Sequence, residues 1–134
     1  MFGLQIKYLS FFFGITSILS FFNIIYSYYF NLYLNLDTYY FTFVSSIIIF
    51  LIFLKFGKEN KKINIFDKIL TIFLGYLLIP LILSIPFYFS IYNLTFLNSF
   101  FESVSGFTST GFTIFENIKL IDQSLILWRS SIQW

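Results

Sequence analysis

The chain of 134 residues contains no cysteine, no histidine and no alanine, and only two prolines. Without cysteine or histidine there is no disulfide scaffold, no thiol nucleophile, no zinc site of the usual ligands and no histidine-held haem. Charge is also scarce. Eight basic and six acidic residues make up 10% of the chain, against about 25% in typical soluble domains. So few charged side chains cannot cover the surface of a water-soluble fold. The net charge of +2, with five of the eight basic residues in one short segment, excludes a nucleic-acid-binding surface. The carboxylates are not clustered, which leaves little equipment for acid–base or metal catalysis, and the chain reads as something other than an enzyme.

What is abundant is apolar. Hydrophobic residues reach 58%, with 22 Phe and 10 Tyr. Together with heavy use of Ile, Asn and Lys this looks like the codon bias of an AT-rich genome, so no single Phe is taken as an aromatic site. Position matters more than totals. Tyr8 to Leu36, Thr38 to Leu54 and Ile69 to Phe101 carry no charge over 29, 17 and 33 residues. A bilayer core of about 30 Å needs about 20 apolar residues. The pattern is that of an all-α, multi-pass transmembrane protein.

The first run is about twice the length of a signal-peptide core and has no Ala, so Tyr8 to about Leu34 reads as a transmembrane helix. Asn35 to Thr38 form a polar turn, with Asp37 or Thr38 as the cap of a second helix from about Tyr39 to Lys55. Lys55, Lys58, Lys61, Lys62 and Lys68 then stand against Glu59 and Asp67. A short basic loop of this kind stays in the cytoplasm, which places the N-terminus there as well. A third helix covers about Ile69 to Ser90 and is kinked by Pro80 and Pro86, a break that membrane helices tolerate when neighbours satisfy the freed carbonyls.

Thr95 to Asn98 offer capping residues for a short helix whose apolar face is Phe96, Phe100, Phe101 and Val104, with Gly106 expected at the left-handed stop. Eleven residues span only about 16 Å, too little to cross. A half-length helix directs its negative end toward the membrane centre and favours a cation there. Thr108, Ser109, Thr110, Gly111 and Phe112 follow. Small hydroxyl residues and a glycine suit an extended strand whose peptide oxygens face one axis, and rings of such oxygens replace the water around a potassium ion. On its own the string is weak and fits a surface turn better; the re-entrant context gives it weight. Asp122 or Ser124 caps a last helix from Ser124 to Trp134, about half of a crossing.

The stretch Phe100 to Thr113, Phe-Phe-Glu-Ser-Val-Ser-Gly-Phe-Thr-Ser-Thr-Gly-Phe-Thr, resembles the first pore loop of the TrkH-type potassium-uptake subunits of the Trk/Ktr/HKT superfamily. Leu125 to Trp134 resembles the start of that family's next helix, and Ser84 to Phe87 with Asp67 also fits its pattern. The resemblance covers about Asp67 to Trp134. It implies four helix–pore loop–helix units around one pore, of which this chain holds two extra N-terminal helices (residues 1–56), a cytoplasmic basic loop (57–68) and a first unit truncated in its last helix (69–134). It implies a fragment inactive alone, a bacterial cytoplasmic (inner) membrane location, a homodimer and a cytoplasmic nucleotide-binding regulator of the TrkA/KtrA type. The cargo is potassium, held by the backbone oxygens of Thr108, Ser109, Thr110 and Gly111, with sodium or proton coupling in some members, and no resident cofactor. A packing or assembly module that transports nothing is the alternative reading.

Glu102 and Arg129 are the charges that flank this strand. A charge at membrane depth costs at least ~2.5–3.5 kcal/mol unless paired or hydrated. Either the two pair and brace the strand, or Arg129 snorkels away and Glu102 reaches water in an outer vestibule.

Overall fold

The computed structural model describes residues 6–57 and 65–133, and among them the regular structure is helical, with no strand. Most of the basic loop, including Lys58, Glu59, Lys61 and Lys62, lies outside the described residues, as does Trp134. Helix α1 (Ile6–Tyr29) and helix α2 (Leu36–Phe56) form an antiparallel hairpin, stitched at both ends. The Phe13 and Phe53 rings meet edge-on at 5.4 Å near one end, and the Tyr28 and Tyr40 hydroxyls lie 3.0 Å apart near the other.

Helix α1 ends before Leu34, the boundary expected from hydropathy. Asn31 adopts a left-handed conformation (φ 56°) and breaks it. The Asn31 N–H donates to the Tyr28 carbonyl (3.4 Å) and the Leu32 N–H to the Ser27 carbonyl (2.8 Å). This reversed pair of bonds closes a helix around one left-handed residue, a role Asn fills when Gly is absent. Helix α2 likewise begins earlier than expected. Asp37 and Thr38 lie inside it and cap nothing. Asn35 sits at the cap position, but its amide is committed to distant partners.

Helices α3 (Ile65–Leu83) and α4 (Ile85–Tyr88) make one span broken at Ser84. Pro80 removes a helical N–H, and Pro86 sits in the first turn of α4, where a proline ring is tolerated. Neighbours take up carbonyls around the break: the Ser103 hydroxyl donates to the Pro80 oxygen (2.8 Å) and the Trp128 indole N–H to the Leu83 oxygen (3.1 Å). Three segments, 7–29, 36–56 and 65–88, are long and apolar enough to cross a bilayer. The molecule is a multi-pass membrane protein.

Helix α5 (Phe96–Phe107) opens at Thr95, whose hydroxyl accepts the Asn98 N–H at 3.3 Å. A 3-10 turn (Ile118–Leu120) and helix α6 (Gln123–Gln133) follow. At 1.5 Å per residue α5 and α6 are each less than about 20 Å long. Helix α5 turns Phe96, Leu97 and Phe101 outward and buries Ser99, Glu102, Ser103, Ser105 and Gly106. That is the reverse of a helix in water, where the apolar stripe faces inward.

Helix α6 packs against α1, α4 and α5. Trp128 is fully buried at the centre of the apolar core, with its ring 6.1 Å from that of Tyr39. Leu9, Phe13, Ile79, Leu83, Phe87, Leu125 and Ile132 complete the surroundings. Many of the buried positions on α1 and α2 are instead small and polar: Ser17, Ser20, Asn23 and Ser27 on one helix, Thr38, Thr42 and Ser46 on the other. Small residues let helix backbones approach closely in a membrane, where apolar side chains gain little from one another.

Candidate functional site

Helices α5 and α6 frame the segment of interest. Helix α5 runs one residue past Gly106, so the expected stop at that glycine is not where the helix ends. Ser109 takes the left-handed position (φ 55°) instead. Its N–H donates to the Gly106 carbonyl (2.8 Å), and the Thr110 N–H reaches back to the Ser105 carbonyl (3.0 Å). Thr108 and Ser109 therefore form the closing turn of α5, not the first residues of an extended strand. Gly106 serves a different purpose. A Cβ there would lie 2.7 Å from Ile132 of α6, so its bare backbone is what lets α5 and α6 cross so closely.

From Thr110 to Thr113 the backbone is irregular, and Gly111 adopts φ 81°. Side chains from Thr108 to Phe112 are all exposed. The opposite side of this stretch is anchored by an ion pair between a buried carboxylate and a partly exposed guanidinium. The Glu102 carboxylate is fully buried, and its Oε2 accepts from Arg129 Nε at 2.8 Å. Of the two placements open to these charges, the structure has them paired. Glu102 Oε1 accepts from the Thr113 hydroxyl (2.7 Å) and the Ile114 N–H (2.6 Å). The Arg129 Nη2 donates to the peptide oxygens of Gly111 (3.2 Å) and Phe112 (2.9 Å). A helix residue on each side thus grips the loop through both its donors and its acceptors. Desolvating this pair is offset because every polar atom named finds a partner with charge-assisted geometry.

The peptide oxygens do not all face one way. Those of Gly111 and Phe112 turn to Arg129, and the Phe112 oxygen also accepts from the Ser105 hydroxyl (2.6 Å). The Ser109 hydroxyl donates to the Gln133 carbonyl (3.0 Å), tying the turn to the far end of α6. The Thr108 and Thr110 hydroxyls lie 2.6 Å apart. Reading the string alone missed Ser105, Thr113 and Gln133. For Thr113 the signal was present, a hydroxyl directly after the Gly111-Phe112 pair; Ser105 and Gln133 depend on how α5 and α6 cross.

Farther along, Asp122 and not Ser124 opens α6, its carbonyl accepting from Leu125 (3.0 Å) and Ile126 (3.1 Å). Its carboxylate accepts from the Asn35 amide (2.9 Å) and from the Ser124 hydroxyl. The contact with Asn35 was not legible from spacing, since Asn35 lies 87 residues away.

Among curated proteins the chain is 31% identical over 81 residues to an uncharacterized cation transporter of Methanocaldococcus jannaschii, covering 60% of this chain and 17% of that protein. It is 31% identical over 78 residues to the Trk system potassium uptake protein TrkH of Escherichia coli, covering 58% and 16%. It is 41% identical over 56 residues to the Trk system potassium uptake protein TrkI of Halomonas elongata, covering 42% and 10%. No protein-family model matches the chain. No solved structure matches it. Over the matched segments the chain is similar to a cation transporter and to Trk system potassium uptake proteins, and it spans only 10–17% of the length of those relatives.

Proposed function

We propose that the chain takes part in moving potassium across a membrane, with Thr108 to Phe112 as one quarter of a selectivity filter lined by peptide oxygens. The observation that carries this reading is the gripped loop itself. An exposed hydroxyl-and-glycine stretch with two left-handed residues is held at the negative end of the short helix α5 by the buried Glu102 carboxylate and its partner Arg129. A solvent turn has no need of a buried, paired carboxylate behind it, whereas irregular backbone at membrane depth persists only when buried in protein or lining a cavity. Oxygens of Thr108, Ser109 and Thr110 supply the cation ligands, and that of Gly111 is shared with Arg129. No covalent chemistry is involved. Ions follow their electrochemical gradient, with or without coupling to sodium or protons.

Three further loops of the same kind complete the filter, contributed by the remaining helix–loop–helix units of the assembled transporter. The working form is a homodimer in a bacterial inner membrane, N-terminus in the cytoplasm, with a nucleotide-binding regulator of the TrkA/KtrA type on the cytoplasmic side. On its own the chain carries no flux. A non-transporting assembly module has one observation in its favour: two of the five peptide oxygens are already occupied by Arg129.

A chimera separates the two readings. This chain replaces the matched segment of the Escherichia coli TrkH in a strain lacking other potassium systems. Growth at limiting potassium that is lost, or becomes sodium-permeable, on Gly111→Ala is the expected result. Unchanged growth and selectivity with that substitution would point to the packing module.

A further inference from the structure

The α1–α2 hairpin lies outside the proposed filter, yet one of its residues touches both arms of the loop that carries it. Asn35 is 1% exposed. Its Nδ2 donates to Asp122 Oδ2 at 2.9 Å, at the start of α6. Its Oδ1 accepts the Ile91 N–H at 3.1 Å, in the lead-in to α5. The amide is therefore a two-ended link between the chain entering the loop and the chain leaving it. Three further contacts surround it. The Tyr39 and Ser124 hydroxyls lie 2.9 Å apart, the Ser124 hydroxyl donates to the Asp122 carboxylate, and the Tyr92 hydroxyl accepts the Asp122 N–H at 2.6 Å. Tyr39 and Ser124 are both fully buried. The two hairpin members of this network, Asn35 and Tyr39, thus meet three members from the loop unit, Tyr92, Asp122 and Ser124.

Geometry carries the consequence to the gripped backbone. Seven residues separate Asp122 from Arg129, about 10 Å along a helix axis. Helix α6 is pinned at its start by Asp122 and at Arg129 by Glu102, Gly111 and Phe112. Moving the start of a rigid helix moves every residue on it. We propose that Asn35 is a positioning residue: through Asp122 it sets where α6 stands, and so where Arg129 holds the oxygens of Gly111 and Phe112. The hairpin is on this view a brace for the loop, a role that rests on the transport reading only for its functional meaning. Asparagine is the right side chain because the position needs one donor and one acceptor. Aspartate keeps the acceptor for Ile91 but sets a second carboxylate against Asp122; leucine loses both.

The test uses the whole chain in lipid nanodiscs and reads amide hydrogen exchange at Ile114, whose N–H is held by Glu102. Asn35→Asp speeds that exchange by about tenfold, as expected when a buried hydrogen bond is replaced by repulsion between like charges. Combining Asn35→Asp with Asp122→Asn restores a donor and an acceptor with their places exchanged, and brings protection back to near its original value. Tyr92→Phe, which removes only the hydroxyl that accepts the Asp122 N–H, gives a smaller change of the same sign and serves if Asn35→Asp does not fold. Tyr28→Phe breaks a bond on the same hairpin that touches nothing in this network, and leaves Ile114 as it was. Unchanged exchange at Ile114 in both Asn35→Asp and Tyr92→Phe overturns the proposal, as does a double variant no better protected than the single. In the chimera with TrkH, the exchanged pair recovers the potassium-over-sodium ratio that Asn35→Asp loses. A chimera that moves no potassium at all would refute the transport reading and leave the exchange result standing.

Discussion

Gly111 and Ser109 show what a single backbone angle demands. Open space surrounds the place where a Gly111 side chain would sit, the nearest atom being Gln133 Nε2 at 3.8 Å. The penalty of Gly111→Ala is therefore conformational, about 1–2 kcal/mol for a left-handed residue with a Cβ. It should appear as faster exchange of the loop amides with little change in the unfolding of the whole chain. Arg129→Leu behaves differently, because it leaves the Glu102 carboxylate buried without its counter-ion. A loss of about 3–5 kcal/mol is expected from chemical unfolding of the chain in detergent. Exchanging the two charges, Glu102→Arg with Arg129→Glu, should recover part of that loss. A double variant as unstable as the worse single one would show that the pair's hydrogen bonds to Gly111, Phe112, Thr113 and Ile114 outweigh its charge attraction.

At the scale of elements, the close crossing of α5 and α6 depends on one missing methyl group. Gly106→Ala places a Cβ 2.7 Å from Ile132, and an overpacked contact of that kind costs about 1–3 kcal/mol. Ile132→Ala removes the obstruction. The pair of substitutions together should lose less stability than the sum of the two single losses, a coupling that an independent effect of each would not produce. The broken span α3–α4 is held in a different way, by side chains that reach its carbonyls. Trp128→Phe keeps the ring in the core but abandons the Leu83 oxygen, and a loss of about 1–3 kcal/mol is expected.

For the molecule as a whole, many small polar residues are buried and many large apolar ones face out, with Tyr8, Phe11, Phe22, Phe41 and Leu51 all exposed. On α1, Asn23 is 1% exposed and neither atom of its amide has a hydrogen-bond partner among the described residues. Replacing it by a leucine of similar volume exchanges an unpaired amide for an apolar contact. Thermal unfolding of Asn23→Leu in detergent is expected to occur at higher temperature, by the equivalent of about 1–3 kcal/mol; destabilisation would instead show that the amide has found a partner. Orientation can be read without background labelling because the chain has no cysteine. A cysteine replacing Lys7 and one replacing Asn93 should react with an impermeant maleimide from opposite sides of the membrane.

Hydropathy and charge alone determined that three segments are long and apolar enough to cross a membrane and that α5 is too short to span. Those properties are sums over many residues, and no single contact can overturn them. Helix ends were less legible. Asn31 and Ser109 stop helices at positions where composition suggested Leu34 and Gly106, because a left-handed angle is settled by local hydrogen bonding and tolerated by more residue types than glycine. The string from Thr108 to Phe112 was visible in the sequence, but which of its oxygens meet Arg129 was not. Only tertiary structure decided that Glu102 pairs with Arg129, that Gly106 admits Ile132, and that Asn35 reaches Asp122. Each of these joins residues 26 to 87 positions apart, and such meetings follow from how helices cross, which one chain's residue order does not encode in any short window.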